Sequence, residues 1–299
     1  MADAAILTEG LTKSYGASRG IEDVSFAVRR GEVFGFLGPN GAGKTTTIRV
    51  LLDLIRPTRG RAVVLGLDAR RESRRIRERV GYLPGELAVY DRMSAGDFLR
   101  YAANLRGGRG ADRAQALAER LRLDLSKPVR ALSRGNKQKV GLVQAFMHDP
   151  DLLVLDEPTG GLDPLMQQEF NRMVREAAAR GQTVFLSSHV LPEVEAVCDR
   201  VGIIREGRLV AVEDVAALKA RAVRRLEVHF ASPVPADEFA GVPGVRDVAA
   251  RGSVVEGTVV GSLDAFVKAI SRHEVVNVVT REPSLEDVFL SYYGERERS

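Results

Sequence analysis

Short apolar runs alternate with longer stretches of helical periodicity through roughly the first 215 residues, a pattern that predicts a sheet flanked by helices. Residues 6–12 and 20–28 read as strands, with a turn at Arg30-Gly31-Glu32. Val33-Phe34-Gly35-Phe36-Leu37 is apolar throughout, as suits a strand covered on both faces. It runs into a glycine-rich loop and a predicted helix over 44–54, which has to stop before Pro57. Further buried strands are predicted at 62–65, 80–83, 152–155, 183–187 and 201–205. Between 86 and 147 the period changes. Residues 98–105 and 111–123 repeat at helical spacing around Gly107-Gly108, which predicts a helical insertion, about 87–147, within a domain spanning 1–220.

From residue 221 the pattern is that of a second domain, 221–299, with strands at 225–230, 245–250, 254–260 and 274–280 and helices at 236–240, 263–271 and 284–292. The order strand-helix-strand-strand-helix-strand, with a closing helix, matches a small α+β ferredoxin-like domain. No internal repeat and no sustained heptad pattern is present.

The composition of the 299 residues, 44% hydrophobic and 28% charged, excludes wholesale disorder and collagen-like repeats and is enough for about two domains. Cys198 is the sole cysteine, so no internal disulfide forms and a reducing compartment is expected; among Val194, Val197 and Val201 it reads as a small core residue. No run approaches the roughly 20 apolar residues that cross a bilayer, and Met1-Ala2-Asp3-Ala4 lacks a basic segment followed by an apolar one, so a cytosolic location is expected. The net charge of +4 does not argue for nucleic acid, and the mixed signs of the arginine-rich stretch 70–79 fit a solvated helix face.

Three places carry chemistry. Gly38-Pro39-Asn40-Gly41-Ala42-Gly43-Lys44-Thr45 fits the phosphate-loop pattern, after a buried strand and at the start of a helix. There the loop amides and the helix N-terminus face phosphate oxygens, Lys44 reaches the β and γ phosphates, and the Thr45 hydroxyl suits Mg²⁺. The apolar run Leu152-Leu153-Val154-Leu155 ends in Asp156-Glu157, two carboxylates at the strand end where open α/β sheets bind ligands. Asp156 suits the metal shell and Glu157 a base for the attacking water. His189, after Phe185-Leu186-Ser187-Ser188, arrives on the same face and suits a hydrogen bond to the γ-phosphate.

Tyr15, the loop 38–45, Leu132-Ser133-Arg134-Gly135-Asn136, Leu155-Asp156-Glu157, Gly161-Leu162-Asp163 and His189 stand in the order and approximate spacing of ATP-binding cassette (ABC) ATPases, which this chain resembles over about 200 residues. The resemblance implies an α/β P-loop NTPase fold, a mixed sheet flanked by helices, and ATP and Mg²⁺ as ligands. It implies that Tyr15 stacks on adenine, that Thr46 joins the nucleotide contacts, and that residues 132–136 form the signature segment completing a second subunit's site. Ser133 and the Gly135 backbone would then touch the γ-phosphate held on that subunit's Lys44, and Asp163 would couple the two sites.

The chain departs from the family pattern in two places. In Gly81-Tyr82-Leu83-Pro84-Gly85-Glu86 the usual glutamine position falls on Gly85, so Glu86 is the candidate substitute toward the metal. In the signature segment Arg134 and Asn136 replace glycine and glutamine. These variants, with the short tail ending in residues 283–290, look like the ATPase subunits of ABC-2 type, drug-resistance-like exporters. The implied partners are a separate transmembrane permease, docking near residues 82–93, and a second ATPase subunit, on the cytoplasmic face of a membrane with no nucleic acid. A relative acting on DNA or ribosomes would carry a long coiled coil, a zinc-bearing insertion or a second cassette. A guanine-binding protein would need an aspartate where Asn136-Lys137-Gln138-Lys139 ends in lysine.

Overall fold

The computed structural model describes residues 4–16, 18–87, 93–220 and 223–281. Two long strands open the first unit: β1 (Ala4–Tyr15) and β2 (Ser18–Arg29) form an antiparallel pair, extending well beyond the expected 6–12 and 20–28. After a turn at Gly31, the apolar run becomes β3 (Val33–Leu37), buried at every position, and the loop that follows opens α1 (Lys44–Leu51). β4 (Arg59–Val64) and β5 (Leu67–Asp68) return to the first pair, giving a four-stranded antiparallel sheet in the order β2-β1-β4-β5.

α2 (Ser73–Arg79) then leads into β6 (Val80–Leu83). Its arginines are partnered at the surface: Arg74 with Glu78, Arg75 with Glu72, and Arg79 with Asp151. The helical insertion follows as α3 (Ala95–Asn104), α4 (Ala111–Arg120) and α5 (Arg134–Phe146). The chain returns through β7 (Leu152–Asp156), α6 (Pro164–Ala179), β8 (Thr183–Ser188), α7 (Leu191–Val197), β9 (Arg200–Arg205) and β10 (Arg208–Asp214).

The second sheet has the order β10-β9-β3-β8-β7-β6, with β9, β3, β8, β7 and β6 running parallel. Phe26 from the antiparallel sheet stacks on Phe34 and Phe185 of the parallel one at centroid distances of 5.7 and 5.9 Å, so an aromatic cluster joins the sheets. On the other face, a Cβ on Gly35 would lie 2.7 Å from Val194 Cγ1, so glycine lets α7 pack directly on β3.

His148, just past α5, is 3% exposed; its Nε2 meets the Val80 carbonyl, and its Nδ1 makes no hydrogen bond among the described residues. Burial and the charges of Arg106 and Arg109 push it down to about 4. The folded chain therefore holds this imidazole neutral between about pH 6.5 and 4 while the unfolded chain takes up a proton. Stability accordingly falls as pH drops through that window, by up to ~1.4 kcal/mol per pH unit. Urea unfolding at pH 7 and pH 5 should show the loss, and His148→Gln should flatten it; the same slope in the variant would assign the effect elsewhere. Cys198, also buried, has its thiol held protonated by burial and is inert.

Two compact units are Met1–Val212 and Glu213–Ser299, dividing inside β10 rather than at 220/221. The second unit contains α8 (Val215–Ala220), β11 (Val223–Phe230), α9 (Asp237–Ala240), β12 (Val245–Arg251), β13 (Val254–Val260), α10 (Asp264–Ile270) and β14 (Val275–Arg281). Its sheet is antiparallel in the order β12-β13-β11-β14. Leu226, Val228 and Phe230 alternate along β11 into a core shared with Phe239 of α9 and Phe266 and Ile270 of α10. The expected closing helix at 284–292 and the motif at 283–290 lie outside the described residues, as does part of the 82–93 segment.

Candidate active site

The parallel register delivers the chemistry to one edge. Leu37 pairs with Ser188 and Asp156 with Ser187, so the loop after β3, the carboxylates at the end of β7 and the histidine after β8 emerge side by side. The loop is fastened to this edge by the Gly38 N–H, which donates to the Ser188 carbonyl at 3.2 Å. Gly43 has φ 109°, and a Cβ there would sit 2.6 Å from Ile21 Cγ2, so only glycine turns the chain into α1 at this point. The first-turn amides of α1 are then left without intrahelical acceptors, which makes the loop an anion cradle.

Lys44 is 5% exposed and its Nζ donates to the carbonyls of Gly38 and Pro39 at 2.7 and 3.2 Å. The same ammonium lies 3.1 Å from Glu157 Oε1, and Glu157 Oε2 lies 2.7 Å from His189 Nδ1. Lys44, Glu157 and His189 thus form one chain of polar contacts. Beside it the Thr45 hydroxyl donates to Asp156 Oδ2 at 2.8 Å. Asp156 is fully buried, and its other oxygen accepts from the Ser187 hydroxyl. Tyr82 sits close enough that burial and the negative charge of Asp156 push its phenol up to about 12.

The donor set fits a nucleotide with a hard divalent cation. An ammonium and free helix-start amides suit phosphate, while one hydroxyl and one carboxylate suit Mg²⁺, an ion that takes few protein ligands alongside phosphate oxygens. Among the described residues no cluster of three or more His, Cys, Asp or Glu offers an all-protein metal cage.

The remaining candidates lie apart from this cluster. Tyr15 is 44% exposed, with Lys13 Nζ 5.1 Å from its ring centre. It flanks Gly20, whose carbonyl and neighbouring Ile21 lie against Gly43, so the open end of the β1–β2 pair borders the loop. Ser133 caps α5, its Oγ accepting from the Asn136 N–H at 3.3 Å, and Asp163 caps α6 by accepting from the Met166 N–H at 3.0 Å. A Cβ on Gly135 would lie 2.3 Å from the Gly161 carbonyl, so the signature segment rests on the 160–163 turn of its own chain, with the Arg134 stem beside Gly161.

Glu86 is exposed and, among the described residues, makes no hydrogen bond or ion pair with Thr45 or Asp156. It is Gly85 whose Cβ would stand 3.3 Å from Asp156 Oδ2.

Sequence reasoning passed over Ser187, whose Oγ also accepts from the Glu157 N–H at 3.1 Å, and Glu193, which joins the hydroxyls of Thr159 and Ser188. A run of hydroxyls at the end of a buried strand, Ser187-Ser188 before His189, was the available signal.

The sequence model of the family described as "ABC transporter" matches residues 21–160. The fluoroquinolones export ATP-binding protein Rv2688c of Mycobacterium tuberculosis is 34% identical over 300 residues, 97% of this chain and 94% of that protein. The probable multidrug ABC transporter ATP-binding protein YbhF of Escherichia coli is 37% identical over 224 residues; the match takes in 73% of this chain, which spans 39% of that relative's length. A solved ATP-binding subunit of an ABC transporter superposes with TM-score 0.67 at 33% identity, covering 72% of this chain and 92% of its own. The dimeric ATP-binding cassette MJ0796, in a post-hydrolysis state bound to ADP and Pi, shares the fold with TM-score 0.65 at 19% identity, over 70% of this chain and 98% of that one.

Proposed function

Because the chain belongs to the ATP-binding proteins of the ABC transporter family, we propose that it hydrolyses ATP to power a membrane exporter, working as a pair of copies on a separate permease. The observation that carries this reading is the polar chain Lys44–Glu157–His189 lying beside the Thr45–Asp156 contact, at the C-terminal edge of the parallel sheet.

In this reading Lys44 exchanges its loop carbonyls and Glu157 for the β and γ phosphates, and His189 turns from Glu157 to a γ-phosphate oxygen. Glu157, released from both, accepts a proton from the water that attacks phosphorus as the bond to the β-phosphate oxygen breaks, leaving ADP and phosphate. Thr45 and Asp156 are the residues that would hold Mg²⁺, which when bound neutralises charge across the phosphates. Ser187 keeps Asp156 and the Glu157 amide in place. Tyr15 offers its ring to adenine. Gly85 leaves the side of Asp156 open, and Glu86, the next residue along the chain, is the acidic side chain proposed to supplement the metal shell.

Ser133 and the Gly135 backbone are exposed or half-exposed on the surface that would meet a second copy, and Asp163 caps the neighbouring helix there. ATP held between two such copies favours their closure and its hydrolysis releases them, since a ligand that binds across an interface stabilises it by mass action. No helix among the described residues is long and apolar enough to cross a membrane. The permease would therefore supply the spans, with this chain on the cytoplasmic face. The relative named for export of fluoroquinolones supports the direction of transport. The strand order β12-β13-β11-β14 supports a ferredoxin-like reading of the second unit.

Purification of the tagged full chain from membranes should bring down an integral membrane protein together with ATPase activity. Recovery of an active ATPase with no membrane companion would contradict the transport part of the reading.

A further inference from the structure

We infer that Gln138 is a positioning residue for Glu157: its side-chain amide holds the backbone of the base in an unfavourable conformation and fastens it to α5. The inference rests on the reading of Glu157 as the base. Glu157 has φ 51°, in the left-handed region that residues bearing a Cβ avoid, so its environment has to impose that geometry. The environment acts on both sides of the residue. Its N–H donates to Ser187 Oγ on β8, and its carbonyl accepts from Gln138 Nε2 at 3.0 Å. The same Nε2 lies 3.0 Å from the Pro158 carbonyl. Gln138 is 7% exposed, and its one amide reaches two consecutive carbonyls, the part-buried one of Glu157, which also accepts from the Gly160 N–H at 3.2 Å, and the buried one of Pro158.

The direction of the Glu157 carboxylate follows from this clamp. With both neighbouring peptide planes held, its oxygens fall on Lys44 and His189. Without Gln138 the carbonyl keeps only the Gly160 N–H, at 3.2 Å within its own turn, so the tie to α5 is lost and the residue can relax toward an ordinary backbone conformation, swinging the carboxylate away from the edge of the sheet. Helix α5 also presses on the same turn at its start, where Gly135 meets the Gly161 carbonyl. The 157–161 segment is therefore held by α5 at two points, and Gln138 is the one that reaches the base. A helix that begins at Ser133, on the surface proposed to meet a second copy, is thereby bound to the hydrolytic carboxylate of its own chain.

A buried glutamine that merely satisfies carbonyls would also matter for folding, so the test separates the two roles. In the full-length chain, Gln138→Leu removes the donor at similar volume. It should lower kcat about ten- to a hundred-fold, the scale of a small misplacement of a catalytic group, while KM and the Kd for a fluorescent ATP analogue stay within about threefold. In a Glu157→Gln background, single-turnover hydrolysis should show no further loss on adding Gln138→Leu, because a base that is absent cannot be misplaced.

Gln138→Glu keeps the shape but donates only when protonated. Its turnover relative to the parent should rise as pH falls from about 9 to about 6, and it carries the test if the leucine variant does not fold. An unchanged kcat in Gln138→Leu, an equal fold-loss in both backgrounds, or a pH-independent ratio in Gln138→Glu would overturn the inference. Near-normal turnover in Glu157→Gln alone would instead overturn the assignment of the base, and is read from the same set of proteins.

Discussion

Glu157→Gln is expected to cut ATP turnover by about two to four orders of magnitude, the usual contribution of a positioned general base, and to leave ATP binding intact. The substitution keeps the size and the backbone of the residue, so the clamp from Ser187 and the fold of the strand end are preserved. What disappears is the proton acceptor. The carboxylate that bridges Lys44 and His189 becomes a neutral amide, which frees the ammonium for phosphate and removes a negative charge from a site built for a polyanion. Affinity should therefore hold or improve while phosphate release at saturating ATP collapses. Near-normal turnover would remove Glu157 from the role of base.

Lys44→Ala is expected to act on the opposite quantity. The ammonium is nearly buried, held by two loop carbonyls and Glu157 at the start of α1, and is the cation proposed to meet the phosphates. A charge-assisted hydrogen bond contributes roughly 1.5–3 kcal/mol, so its loss should weaken ATP binding by about ten- to a hundred-fold. The uncompensated Glu157 left behind adds repulsion. Because two loop carbonyls and Glu157 lose their cation, the thermal midpoint should fall as well, so the loss of affinity is read as the equilibrium Kd of the folded variant. Wild-type affinity would contradict the phosphate-loop assignment.

How much of this was legible along the chain depended on whether a feature is local. The phosphate loop, the Asp156-Glu157 pair and the buried run 33–37 are contiguous, and their chemistry follows from spacing alone. Ser187 and Gln138 act only through pairing and packing: the first through the register of β7 on β8, the second through the placement of α5 on the turn after β7. The hydroxyl run Ser187-Ser188 marks the place of the first but not its partners, and nothing in the linear pattern marks the second. The two-residue β5 is too short for alternation to reveal it. Helix α6, absent from the predicted elements, did have a signal in Asp163-Pro164 as cap and first residue, followed by Met166, Phe170, Met173, Val174 and Ala177 at helical spacing. The alternation of Leu226, Val228 and Phe230 gave the second unit's β11 directly, because one face of that sheet is covered and the period of two survives.

The claim on which the account turns is that ATP is enclosed by the loop of one copy and the signature segment of another. Sedimentation of the full-length Glu157→Gln protein measures it most directly, since hydrolysis no longer removes the ligand. The account predicts the mass of two chains in ATP and of one chain in ADP, with Glu157→Gln/Ser133→Arg remaining single in ATP although it still binds the nucleotide. A Glu157→Gln protein saturated with ATP that sediments as one chain would contradict it.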